Sequence, residues 1–272
     1  MQRDGKNTTG QGTRPRIAVL VSVGRHPVTG RPRRAEFDAR AVEMGLSLAA
    51  ADDVTLIHAG VRSPEAEGAL RGYLGMGIDS IEVLLQPDDA DVVPALETRL
   101  RDMAPKLVLC GARGETGETS GLVPFLLAEH LGWSLVTSLA QIESIDGDSM
   151  TVLQALPRGQ RRRLKVSLPA IVTVDAAAQP ARQSAFGPAR RGELCASQSA
   201  VTADVMAREW TVAPARKRPK RLKIVKAASA RDRFKAAAAK AEGGTGQVLN
   251  GVSPQEGAEA ILKLLREEGV LR

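Results

Sequence analysis

The sequence predicts an α/β fold: a doubly wound, mostly parallel sheet with antiparallel edge strands, followed by a long C-terminal arm. Three observations carry that expectation. Up to Trp133, short apolar runs alternate with amphipathic stretches at the tempo of strand–helix–strand units. The most apolar of these runs empties into a loop rich in glycine and hydroxyl side chains. After Trp133 the pattern changes and strand follows strand without intervening helices.

Residues 17–23 read as the first strand, and Phe37, Ala41, Met44 and Leu48 then fall at i, i+4, i+7 and i+11 on one helical face. Residues 54–59 form the second strand. A helix from about residue 65 to 74 stops at Gly75-Met76-Gly77, where glycine ends helices well. Residues 80–85 make the third strand, a helix covers roughly 91–103, and residues 106–110 make the fourth strand. Residues 139–144 and 150–155 flank Asp146-Gly147-Asp148, a hairpin signal. Residues 162–166 and 170–174 continue the series, so antiparallel strands extend the parallel sheet. The reading divides the chain into a polar extension (1–15), an α/β domain (16–175) and an extended arm (176–272). Residues 175–221 are Pro-, Arg-, Ala- and Gly-rich with little periodicity, the composition of an arm ordered by another chain. Near the end, Ser253-Pro254-Gln255-Glu256 forms a capping box with Pro at the first helical position, ahead of a stripe of Ala258, Ile261, Leu262 and Leu265.

Residues 107–133, LVLCGARGETGETSGLVPFLLAEHLGW, carry most of the functional information. A buried strand, then Gly111, Gly114, Gly117 and Gly121, then an apolar helix is the build of an anion or nucleotide cradle. Thr116, Thr119 and Ser120 add hydroxyls at the mouth of that helix, whose positive end favours a phosphate. The loop matches neither the Walker spacing nor the dinucleotide fingerprint, and an ordinary capped strand-to-helix loop is the plainer alternative.

The bulk numbers exclude several classes. At 272 residues with 43% hydrophobic and 25% charged residues, the chain can bury a full core, and 3% aromatics make that core aliphatic. No apolar run approaches the roughly 20 residues needed to cross a bilayer. Cys110 and Cys195 have no paired spacing and His26, His58 and His130 are scattered, so the reading proposes no metal site and a reducing, cytoplasmic home. The net charge of +7 is concentrated at Arg161–Arg163 and in a basic run over residues 216–226. Neither cluster is interleaved with stacking aromatics or set in a known reading module, which argues against nucleic acid.

Segments along most of the chain resemble the beta subunit of electron-transfer flavoproteins. Val21-Ser22-Val23-Gly24-Arg25 is similar to the family's V-A-V-K-R, and Phe37-Asp38 with Ala41-Val42-Glu43 to its N-P-Y-D-E-F-A-V-E-E. Residues 74–79 are similar to its A-L-A-M-G-A-D turn. Residues 111–124 align without a gap on G-K-Q-A-I-D-G-D-T-A-Q-V-G-P, with Gly111, Gly117, Thr119 and Pro124 identical and Glu118 standing for Asp. Leu131-Gly132-Trp133, the strand 168–174 (L-P-A-V-V-T-V) and the ending 264–270 complete the likeness.

The resemblance implies a Rossmann-like heterodimeric subunit that binds AMP structurally, while an alpha subunit holds the FAD. Electrons would pass from flavin-dependent dehydrogenases towards a quinone oxidoreductase and the respiratory chain, with no bond made or broken on this chain, an electron carrier rather than an enzyme. Carried over by position, nucleotide contacts fall on Ser22, on residues 35–38 including Phe37 and Asp38, on Ala59, and on Arg113, Gly114, Gly117, Glu118, Thr119 and Ser120. The family Asn becomes Ala35, and K-Q-A-I-D becomes residues 112–116. Glu115 and Glu118 would repel a phosphate unless they face ribose or solvent, whereas Arg113 can grip it. The resemblance also places a partner-docking loop at residues 182–191, with Phe186 where the family has Leu, flanked by Arg190 and Arg191. Two other readings stand beside this one: an electron-splitting subunit with FAD in this chain, and an adenine-nucleotide enzyme of the same fold.

Overall fold

A computed structural model of the chain describes residues 16–211, 213, 229–231 and 249–267. The extension 1–15 and the basic run 216–226 lie outside the described residues. The chain divides into two bodies, residues 1–211 and 212–272.

The first body is built on a nine-stranded sheet. Its parallel part uses β1 (Ile17–Leu20), β4 (Val54–Gly60), β5 (Ser80–Leu85), β7 (Leu107–Gly111), β11 (Ala170–Val174) and β12 (Glu193–Gln198). β8 (Ser134–Asp146), β9 (Ser149–Ala155) and β10 (Arg161–Ser167) form the antiparallel side, in the order β10-β9-β8-β11-β7-β1-β4-β5-β12. β1 lies at the centre, with Ile17 opposite Val54 on one side and Leu107 on the other. β2 (Val23–Arg25) and β3 (Pro32–Arg34) make a small antiparallel ribbon between β1 and α1 (Glu36–Leu48).

Alternation along the strands sorts the core into two layers. Ile17, Val19, Leu56, Leu107, Leu109 and Val172 face α1 and α2 (Pro64–Leu74). Ala18, Leu20, Ile57, Val108 and Ile171 face α3 (Val93–Met103) and α4 (Val123–Leu131). Period-2 burial on both faces is what a sheet covered by helices on each side requires, and each fully buried Leu or Ile contributes about 1.5–3 kcal/mol. Local signals set the helix ends. Ser63 Oγ accepts from Ala66 N at 3.1 Å at the start of α2, and Gly132, at φ 67°, closes α4.

Three details differ from the sequence reading. The first strand ends at Leu20 rather than continuing to residue 23. Val21 N still donates to Ile57 O, but the polar groups of Ser22 are drawn to Asp38, which turns the chain into the ribbon. The buried face of α1 is Asp38, Ala39, Ala41, Val42, Met44 and Gly45, so Ala41 and Met44 of the expected stripe are buried, whereas Phe37 and Leu48 at its ends are only half-buried. Small residues win here because Gly45 comes up against Val19 and Val54. β11 is not an antiparallel edge strand; it inserts between β7 and β8, parallel to both. β8 makes this possible by changing partner midway at Ser138 (φ 53°), whose N–H donates to Thr173 Oγ1, before running antiparallel to β9.

Residues 176–211, expected within the arm, are folded onto the first body. β12 pairs in parallel with β5, α5 (Phe186–Arg191) packs on α2, and β13 (Thr202–Ala203) pairs with β6 (Ala90–Asp91). Backbone pairing and arginines hold this segment, which is why its apolar pattern is faint. Arg71 collects the carbonyls of Ala189, Arg190 and Gly192, and Arg182 pairs with Glu43 at 2.7 Å. A short helix, α6 (Val205–Glu209), follows, capped by Asp204. In the second body the capping box of α7 (Pro254–Glu267) forms as expected, with Ser253 N donating to Glu256 Oε2 at 2.8 Å and Glu256 N to Ser253 Oγ at 3.3 Å. No residue of α7 is buried.

Candidate functional site

Successive crossovers carry the chain from β1 to β4 to β5 on one side, and then back to β7 on the other side of β1. That reversal leaves a crevice at the carboxyl ends of β1 and β7, where sheets of this kind bind ligands. Three segments converge there: residues 21–25 leaving β1, residues 35–38 entering α1, and residues 111–122 leaving β7.

Asp38 joins all three. Its Oδ2 accepts from Ser22 N at 2.8 Å and Ser22 Oγ at 2.5 Å, and its Oδ1 accepts from Gly111 N at 3.0 Å. Burial pushes its carboxyl from an ordinary 3.8 up to about 6; the hydrogen bonds from Ser22 and Gly111 oppose that rise, and Glu115 adds to it. Tyr73 braces the same junction from α2, accepting from Ala35 N at 2.7 Å and donating to Ser22 O at 2.8 Å. Burial holds its phenol well above the usual range, so it stays a neutral donor. Beneath it, His58 is buried with Nδ1 2.9 Å from Val21 O, and burial lowers its pKa, which favours the neutral ring with Nδ1–H donating.

The loop after β7 has an anchored half and an open half. In the anchored half, Glu115 accepts from Arg25 N at 2.9 Å, from Glu36 N at 2.7 Å and from the Arg33 guanidinium at 3.0 Å. Thr116 Oγ1 donates to Val23 O at 2.8 Å. Glu115 therefore faces the ribbon and the start of α1 rather than ribose or open solvent. In the open half, Gly117, Thr119 and Gly121 all have positive φ (74°, 57° and 74°), and residues 117–120 are exposed. Among the described residues, the backbone N–H groups of residues 113–118 donate no hydrogen bond within the chain. Arg113 is exposed beside them.

The residues carried over from the family motif thus fall into two groups. Ser22 and Asp38 spend their polar groups on each other and on Gly111, and Phe37 packs beside Gly111. Ala59 lies at the end of β4, just past the register position where Ile57 meets Leu20. Gly117, Glu118, Thr119 and Ser120 line the open half of the loop, and Arg113 and Gly114 lie just before it. Sequence reasoning missed Tyr73 and His58, which reach the crevice from elements chosen there only for their apolar faces. It also missed Gly24, where a Cβ would come within 2.6 Å of Ala35 Cα and of Glu115 Oε2. The residue set fits a nucleotide phosphate: N–H groups and a guanidinium without partners among the described residues, with two hydroxyls, surround a backbone that bends through left-handed positions.

Elsewhere, Phe186 is 78% exposed at the start of α5, with Arg190 and Arg191 exposed at its end. Arg162 and Arg163 are engaged by Gln154 and Glu143 on the β10 face. Cys110 is buried and Cys195 exposed, both as free thiols. No group of three or more potential metal ligands occurs among the described residues, and no described helix is long and apolar enough to cross a membrane.

Comparison with known proteins supplies the remaining finding. Residues 31–206 match the model of the electron transfer flavoprotein domain. The chain is 62% identical over 256 residues to a protein named electron transfer flavoprotein subunit beta, from Chromohalobacter salexigens. That alignment covers 94% of this chain and 96% of the relative.

Proposed function

Since the chain belongs to the electron transfer flavoprotein family, on its beta-subunit side, we propose that it pairs with an alpha subunit and binds AMP in the β1/β7 crevice. The observation that carries the nucleotide assignment is the run of unpaired N–H groups over residues 113–118 beside Arg113, at the topological switch point. Arg113, Thr119 and Ser120 would hold the phosphate, and Ala59 and Phe37 would border the nucleoside. Ser22, Asp38 and Tyr73 hold these segments in place rather than contact the ligand through their polar atoms.

FAD, held mainly by the alpha subunit, supplies reversible uptake and release of electrons when bound. This chain contributes a frame: its nucleotide stiffens the loop, and its exposed surface positions partners. Phe186, with Arg190 and Arg191, would anchor flavin-dependent dehydrogenase donors, an aromatic residue ringed by cations suiting an apolar pocket with an acidic rim. The quinone oxidoreductase acceptor and a cytoplasmic setting complete the reading.

Co-expression with an alpha subunit tests it. The purified complex should be yellow and release one FAD and one AMP on denaturation. A preparation with neither complex nor flavin overturns the proposal.

A further inference from the structure

Glu115 stands where a dinucleotide would need its own negative charge. In doubly wound sheets, the pyrophosphate of a dinucleotide rests on the N-terminus of the helix that follows the first strand. Here that helix is α1, and its first N–H, from Glu36, is already taken by Glu115 Oε1 at 2.7 Å. The same carboxylate also accepts from Arg25 N and from the Arg33 guanidinium. Gly24 brings the ribbon so close that no side chain fits between it, Ala35 and Glu115.

We propose that Glu115 is a specificity-determining residue that restricts this chain to an adenine nucleotide with a single phosphate. Its carboxylate fills the anion seat at α1 and faces any second phosphate with like charge, while the open half of the loop keeps donors for a single phosphate. The inference rests on the nucleotide reading of the crevice and adds to it which adenine nucleotides are turned away.

Titration calorimetry of the full-length, nucleotide-stripped chain with AMP, ADP and FAD tests this. The wild type should bind AMP at least tenfold tighter than ADP or FAD. Glu115→Gln keeps the shape and one acceptor but removes the charge, and should cut that ratio to threefold or less. Arg33→Met, which leaves Glu115 uncompensated, should raise the ratio; this second variant keeps the test open if the first does not fold. A wild type that binds all three nucleotides equally, or a ratio unchanged in both variants, overturns the inference and leaves the nucleotide site intact. A wild type that binds none of them overturns both.

Discussion

The two halves of the loop after β7 share one short sequence and have opposite fates. Residues 111–116 are tied into the body by Gly111, Glu115 and Thr116, with acceptors or donors on α1, β2 and β3. Among the described residues, the backbone N–H groups of residues 117–121 donate no hydrogen bond within the chain, and this half bends through three positive-φ positions. The difference teaches that the open half is held by its neighbour rather than by itself. A ligand-binding backbone needs unpaired N–H groups, and these are tolerable only at the surface on a rigid frame.

The comparison breaks most completely at Asp38. Replacing it with Ala leaves Ser22 N and Gly111 N without their acceptor beneath the loop, a cost of about 3 kcal/mol in urea unfolding, with loss of bound nucleotide. Stability close to wild type would remove Asp38 from its place as the junction of the three segments. The same group sets a pH dependence. Its folded value of about 6 lies above the ordinary 3.8, so the protonated group favours the fold. That contribution is complete below about pH 4 and is lost as pH rises through about 6, a swing of about 3 kcal/mol. Measured against Asp38→Asn, which does not titrate, the wild-type chain should lose about that much relative stability between about pH 4 and about pH 7. A pH-independent difference would contradict a charged, buried carboxylate.

Within the open half, two glycines separate strain from clash. Gly121→Ala meets both a positive φ and Ala112 O at 2.5 Å from the new Cβ, whereas Gly117→Ala meets strain alone. We expect losses of about 2 and about 1 kcal/mol respectively, read from thermal melts. Equal losses would show that the loop relaxes around Ala112.

Tyr73→Phe removes the hydroxyl shared by Ala35 N and Ser22 O and should cost about 1 kcal/mol, with nucleotide affinity falling in step. The smallest effect on stability belongs to exposed groups. Arg113→Ala and Phe186→Ala should each stay within about 0.5 kcal/mol of wild type. The first should weaken AMP binding about tenfold by calorimetry. The second should slow electron transfer from the donor dehydrogenase at unchanged nucleotide content, and unchanged transfer kinetics would remove Phe186 from the docking surface.

Much of the site was legible as a sequence because its signals are local. Gly111, Gly117 and Gly121 announce turns, Thr119 and Ser120 supply hydroxyls, and the apolar strand before them fixes where the loop begins. The roles of Asp38 and Glu115 were not legible. Each acts through partners far along the chain, 73 residues away for Asp38 and Gly111 and 79 for Glu115 and Glu36, and no periodicity encodes such pairs. Tyr73 was hidden because its ring fills the core, so only packing reveals where its hydroxyl goes.

By itself, the sequence determined the alternation of strands and helices, the hairpin at Gly147, the capping box at Ser253 and the family of the chain. Periodicity, turn chemistry and motif spacing are properties of contiguous residues. Only the tertiary structure decided that β11 enters the sheet between β7 and β8, that β12 makes its ninth strand, and that Glu115 turns inward. Those outcomes depend on which backbone groups find partners across the fold, and a hydrogen bond between distant segments leaves no pattern in either of them.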